Sequence, residues 1–324
     1  MLKKRIDKHK IISFIGIAKN VGKTTALSSF LKNYKNLGVT TIGIDGDEIC
    51  SLTGKEKQTI YLPAGTFFTT TDVEVRKRDI SVKIVENTNI ITPYGNIIIA
   101  KTEIPDHTQI YGCGSIADTE KVIFKMISRG AKKVLIDGSF NRISHTKISA
   151  GTILVAGVIE GKDYEHAINE TKKMVEFMGF KKSNLRPKKT PCIYKNGKEI
   201  GLGIDSILGK EDKVIEKLDN VTTHVVFSGA FTSNTLKKFI KFGFDFKKIK
   251  IVLNNCCDCL LSYREYQLLK ELGGKIEVLN KTDICGIAVN SFSFSNYINP
   301  KKIFKMFKKE FPSIYVFDVM LKCS

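Results

Sequence analysis

The chain has 324 residues, 42% hydrophobic and 26% charged, with a formal net charge of +19. That length suffices for two α/β lobes with a sizeable core, and the composition is that of a soluble globular protein. Lysine is spread along the whole chain, a pattern of codon-composition bias, so neither a nucleic-acid partner nor a membrane partner is expected.

The N-terminal MLKKRIDKHK followed by IISFIGIA superficially resembles a signal peptide. Its apolar run is short, however, and no small-residue cleavage site follows it. No run approaches the length of a membrane span. A cytoplasmic protein is expected, with its eight cysteines reduced. Ile11 to Ile15 reads as a strand covered on both faces. Ala26, Leu27, Phe30, Leu31 and Tyr34 then recur at helical spacing. Between them lies Gly22-Lys23-Thr24-Thr25, in the strand–loop–helix context that a phosphate-binding loop requires.

The chemistry of such a loop assigns roles. Polyphosphate needs many N–H donors converging on a small volume, and a glycine-bracketed turn into a helix N-terminus supplies them. Gly22 allows close backbone approach, Lys23 would reach the β- and γ-phosphates, and the Thr24 hydroxyl would ligate Mg²⁺. The expected nucleotide-binding residues are Gly16, Lys19, Asn20, Val21, Gly22, Lys23, Thr24 and Thr25. The first glycine of G-x-x-x-x-G-K-[ST] belongs at Ile17; here it is Gly16, one place earlier. The resulting G-x-x-x-x-V-G-K-T resembles the loop of dethiobiotin synthetase and its relatives in the MinD/MobB-like branch of P-loop proteins. The signature lysine of the ParA/MinD type would fall at Ala18, so its role is not carried over to Lys19.

Val39 to Ile44 reads as a second strand running into Asp45-Gly46-Asp47-Glu48. Carboxylates at the C-terminal end of a parallel strand beside a phosphate loop stand where Mg²⁺ or its waters need ligands, although Asp-Gly also serves in plain turns. QTIYLP, TNIITP and GNIIIAKTEI are short strand candidates, TFFTTT is hydroxyl-rich, and Pro93 to Asn96 suits a hairpin turn. Residues 55–112 are read as a β-rich insertion with antiparallel strands. A helix follows from about Ile116 to Ser128, with Ser115 as its cap. Val134-Leu135-Ile136-Asp137 is a Walker B pattern, whose carboxylate would hold Mg²⁺ through water opposite Thr24. The expected catalytic residues are therefore Lys23 and Asp137, and the expected metal residues Thr24, Asp45, Asp47 and Asp137. Ser139 to His145 lies on the same edge, where Arg142 could touch phosphate or a partner.

Thr152 to Val158 is another buried strand and Tyr164 to Phe177 another helix. These mark out residues 1–178 as a nucleotide-binding domain. Residues 179–219 turn basic and loop-rich, with a hairpin at Asn196-Gly197. From Val221 strand–helix alternation restarts, and residues 220–324 read as a second α/β lobe. Asn280-Lys281-Thr282-Asp283 matches the guanine-reading N-K-x-D, which keeps GTP as a minority option behind ATP. Cys256-Cys257-Asp258-Cys259 lacks the paired spacing of a zinc site. The fold class expected is α/β: a P-loop NTPase of the MinD/dethiobiotin-synthetase-like kind with a mostly parallel sheet, plus the smaller lobe.

GIAKNVGKTT, TTIGIDGDE, NIITPYGNIIIAK, VLIDGSFNR, VVFSGAFTSNTL and the closing FDV together resemble a particular family. It is the P-loop subunit of the reactivating factor that accompanies adenosylcobalamin-dependent lysine and ornithine aminomutases. The resemblance covers nearly the whole chain. It implies an ATP- and Mg²⁺-dependent subunit that, with a MutS-like ATPase partner, opens an inactivated aminomutase to release damaged cofactor. It also implies a bistable element answering to the γ-phosphate, with Asp45 to Glu48 and Ser139 to Arg142 as candidates, and makes residues 220–324 the partner surface. Two rivals remain: an enzyme of the dethiobiotin-synthetase type that uses ATP to activate a carboxylate, and a nucleotide-sensing interaction subunit that barely hydrolyses.

Overall fold

The computed structural model describes residues 2–42, 59–78, 82–138, 148–158, 162–186, 189–292 and 299–319. The chain is α/β and divides into two compact units, Met1–Thr171 with Asp283–Ser324, and Lys172–Thr282. In chain order the first unit contains α1 (Leu2–Ile6), β1 (Ile11–Gly16), α2 (Lys23–Asn33), β2 (Leu37–Thr41), β3 (Ile60–Leu62), β4 (Phe67–Thr71) and α3 (Asp72–Arg78). It continues with β5 (Val82–Thr92), β6 (Gly95–Thr102), β7 (Asp106–Thr108), α4 (Ile116–Ser128), β8 (Lys133–Asp137) and β9 (Gly151–Gly157). The division between units falls within α5 (Tyr164–Met178).

The second unit carries β10 (Lys181–Lys182), β11 (Cys192–Lys195), β12 (Lys198–Gly201), α6 (Glu211–Ile215), β13 (Thr222–Val226), β14 (Phe231–Thr232) and α7 (Ser233–Lys241). It ends with β15 (Lys250–Leu253), β16 (Cys259–Leu260), α8 (Tyr263–Glu271) and β17 (Ile276–Val278). The chain then returns to the first unit with β18 (Asp283–Asn290), α9 (Pro300–Glu310) and β19 (Val316–Asp318).

Nine strands of the first unit form one sheet in the order β19-β18-β9-β1-β8-β2-β4-β6-β5. Every neighbouring pair from β19 to β4 is parallel, and β6 and β5 finish one edge antiparallel. The central strands read as unbroken apolar runs because they are covered on both faces: all of Gly151–Gly157 is buried, as are Val134, Leu135 and Ile136. The helix after β1 docks through the predicted stripe of Ala26, Leu27, Phe30 and Leu31, with Phe30 edge-on to Phe14 at 5.2 Å. Passing from β1 to β2 the chain steps over β8, and from β8 to β9 it steps back over β1. The strand order therefore reverses at β1 and β8, and in open parallel sheets the crevice at the carboxyl ends beside such a reversal is where ligands bind.

Two expectations need correcting. Residues 55–112 do supply antiparallel strands, but β4, β6 and β5 belong to the main sheet rather than to an insertion beside it. The hydroxyl-rich Phe67–Thr71 is a member of the main sheet, parallel to β2. Two of its buried threonines find partners: Thr69 Oγ1 pairs across strands with Thr40 Oγ1 at 2.9 Å, and Thr71 Oγ1 accepts from Glu74 N at 3.1 Å. Antiparallel pairing here is confined to β4 with β6, the β5–β6 hairpin turning at Pro93-Tyr94, and the small β3–β7 ribbon. The expected lobe of residues 220–324 also ends early, because β18 and β19 join the first sheet. Residues 286–289 of β18 are all buried and pair with β9, which a solvent-facing edge of a smaller sheet would not satisfy.

The second unit holds a six-stranded sheet, β10-β17-β15-β13-β11-β12, parallel from β10 to β13. The β11–β12 hairpin turns as predicted, with Asn196 and Gly197 both left-handed at φ 48° and 75°. Beyond β13 and β15, strands β14 and β16 pair with each other, Phe231 with Cys259 and Thr232 with Leu260. Glu265 accepts hydrogen bonds from Ser233 Oγ at 2.7 Å and Ser262 Oγ at 2.8 Å, tying the starts of α7 and α8 together.

Candidate functional site

The loop between β1 and α2 stands at the reversal point of the nine-stranded sheet. Its backbone alternates: Asn20 is left-handed at φ 61°, Val21 is buried at 1% exposure, and Gly22 is left-handed again at φ 91°. Left-handed residues alternating in this way form the concave nests that receive anions. The Val21 side chain anchors the loop, while Lys19, Asn20 and Thr25 are exposed and Thr24 is half-buried. Helix hydrogen bonding begins at once, from Ala26 N to Gly22 O at 2.9 Å.

Three glycines make the loop's path possible. A Cβ on Gly16 would press on Ala18 O at 3.0 Å and Val21 Cγ2 at 3.1 Å, which is why the leading glycine stands at 16. A Cβ on Gly157, at the end of β9, would meet Val21 O at 2.8 Å. A Cβ on Gly22 would fall 2.6 Å from Asn290 Nδ2. Asn290 ends β18 and so forms the back wall of the loop. Sequence reasoning missed it, and the signal available was slight: an Asn closing an apolar strand whose sheet was misassigned.

Lys23 and Asp137, singled out separately in the sequence, come together. Lys23 Nζ lies 3.2 Å from Asp137 Oδ1 and donates to Gly138 O; the two side chains are 23% and 18% exposed. Asp137 is fixed by its neighbours, since Thr41 Oγ1 donates to its carbonyl at 2.9 Å and Gly138 N donates to Phe14 O at 3.0 Å. Among the described residues Asp137 Oδ1 has no hydrogen bond beyond its ion pair with Lys23, and Asn290 Oδ1 and Ser291 Oγ are buried without one. They lie at the same, carboxyl, end of the sheet but three strands apart, Asp137 ending β8 and the other two ending or following β18. A nest, an ammonium group at a helix start, a hydroxyl at Thr24 and a carboxylate that accepts few hydrogen bonds suit a polyphosphate with a divalent cation. Asp45, Asp47, Glu48 and residues 139–145 lie outside the described residues.

Neither second-half motif builds a site. Asp283 opens β18 at the opposite end from Asn290, seven residues and roughly 20 Å along the strand. It pairs there with His9 Nε2 at 3.5 Å, so N-K-x-D does not reach a base held by the loop. Among the described residues no group of three or more His, Cys, Asp or Glu is arranged to hold a metal ion. Within the cysteine cluster, burial pushes the Cys259 thiol up to about 12, while the Asp258 carboxylate accepts from Asn255 N at 3.1 Å. No described helix is long and apolar enough to cross a membrane. Compared with protein-family profiles, curated proteins and solved structures, the chain matches none.

Proposed function

We propose that the chain is the nucleotide-binding subunit of an ATP-dependent reactivating factor for an adenosylcobalamin-dependent aminomutase, working with a MutS-like ATPase subunit. The observation that carries the nucleotide part is the meeting of Lys23 and Asp137 beside a left-handed Gly22 at the strand-order reversal. The loop N–H groups and Lys23 would hold the triphosphate, and Thr24 and Asp137 would hold Mg²⁺. Bound there, Mg²⁺ supplies charge neutralisation of the β- and γ-phosphates. ATP is preferred over GTP because the guanine-reading motif stands at the far end of β18. The aminomutase client rests on the resemblance in GIAKNVGKTT, VLIDGSFNR and their companion motifs.

The test is phosphate release from ATP and GTP, first alone and then with the MutS-like partner and cobalamin-inactivated aminomutase. Stimulation by those proteins, abolished by Lys23→Ala, is the expected result. Turnover that appears only with a small carboxylic acid would establish a carboxylate-activating enzyme instead. Tight binding without turnover under every condition would leave a nucleotide sensor. A Lys23→Ala chain with undiminished nucleotide affinity and activity would remove the loop from the mechanism.

A further inference from the structure

We infer that the Lys23–Asp137 ion pair makes this loop select the metal–nucleotide complex over either component alone. The inference rests on the nucleotide-binding reading above and adds Asp137 as a specificity-determining group. The ammonium that would bind phosphate is already engaged, by Asp137 Oδ1 at 3.2 Å and by Gly138 O. Asp137 cannot follow Lys23 toward a ligand. It ends a strand paired on both sides, with Phe14 of β1 and Thr41 of β2, and its carbonyl accepts from Thr41 Oγ1.

The consequence follows from charge balance. A free nucleotide that draws Lys23 onto its phosphates leaves a largely buried carboxylate uncompensated next to a second anion, which is costly. A divalent cation arriving alone meets an ammonium on the carboxylate it needs. When both arrive, each charge exchanges one partner for another: the cation takes Asp137, the phosphates take Lys23, and none is left unpaired. Beyond the Lys23 contact, Asp137 Oδ1 has no hydrogen bond for this exchange to break. By linkage, the cation then tightens nucleotide binding by the same factor as nucleotide tightens cation binding.

ATP binding to the full chain, measured by equilibrium dialysis in Mg²⁺ and in EDTA, tests this without reference to turnover. For the unmodified chain Mg²⁺ is expected to tighten ATP by about tenfold or more, equivalent to about 1.4 kcal/mol. Asp137→Asn is expected to bind ATP in EDTA about tenfold tighter than the unmodified chain, with most of the Mg²⁺ enhancement gone. That gain must vanish when Lys23→Ala is added, and undetectable binding in both Lys23→Ala chains meets this condition. An Asp137→Asn chain that binds ATP in EDTA no better overturns the inference, as does an equal gain without Lys23, which would mean plain repulsion by the carboxylate. Should Asp137→Asn fail to fold, Mn²⁺ binding to the unmodified chain decides. Mn²⁺ that binds equally well with and without ATP refutes the exchange, and about tenfold tighter binding with ATP supports it. A chain that binds no ATP in either buffer rejects the nucleotide reading itself.

Discussion

Gly22→Ala is the sharpest probe of the loop, because two separate costs meet at one methyl group. The residue sits at φ 91°, where an L side chain costs about 1–2 kcal/mol. The added Cβ would also stand 2.6 Å from Asn290 Nδ2 and 3.0 Å from its Cβ and Cγ, and overpacking of that kind costs about 1–3 kcal/mol. The expected total is about 2–5 kcal/mol, a fall in Tm on the order of 10 °C for a unit of this size. Thermal and urea unfolding of the full chain without nucleotide would read it. Asn290→Ala removes the contacts with Nδ2 and Cγ but keeps Cβ at 3.0 Å and the backbone strain, so the double variant should recover only part of the overpacking cost, about 1–2 kcal/mol. Equal losses from Gly22→Ala with and without Asn290→Ala would show that the two residues do not touch. No loss at all would show that Gly22 is not left-handed, and the nest with it would be wrong.

Three further outcomes are expected. Glu211 is fully buried; burial raises its carboxyl, but hydrogen bonds led by that from Lys238 outweigh burial and hold it below its ordinary 4.5. Its contribution is therefore complete above that value and lost as pH falls through the folded one, so Glu211→Gln should cost about 2 kcal/mol at pH 7 and flatten acid unfolding. Burial pushes the Cys113 and Cys259 thiols up to about 12 and that of Cys285 to about 11, whereas Cys257 is half-buried. Iodoacetamide at pH 8 followed by peptide mass spectrometry should label Cys257 before those three, and the reverse order would refute the burial argument. Asp283→Asn should leave the ratio of ATP to GTP affinity unchanged in a binding titration, and a shift toward either nucleotide would bring N-K-x-D back to the site.

Local chemistry was legible where one segment carries its own explanation. Ser115 accepts from Asp118 N at 3.0 Å, so α4 begins where a cap and an apolar stripe said it would. Asn196-Gly197 turns because both residues tolerate positive φ. Phe67–Thr71 was harder, since threonine is ordinary in turns and its burial depends on a partner hydroxyl at Thr40 that only the folded sheet supplies. Sheet membership was not legible at all for β18 and β19. An apolar strand followed by an amphipathic helix looks the same whichever sheet it enters, and the choice is made by the free edge of β9, about 130 residues upstream.

That long return explains why the site was only half visible. Lys23 and Asp137 each sit in a motif whose residues are adjacent in sequence, so each could be singled out before their contact was known. Asn290 has no such motif. Its role exists only because a strand from the far end of the chain lies beside β9 and brings its last residue behind Gly22. The loop's rigidity thus depends on segments it never neighbours in sequence: Gly157 beneath Val21 and Asn290 against Gly22. Val289, just before Asn290, pairs with Asp318 of β19, and Val319 N donates to Val289 O at 3.0 Å. The backbone of β18 thus joins β19 to the wall of the loop.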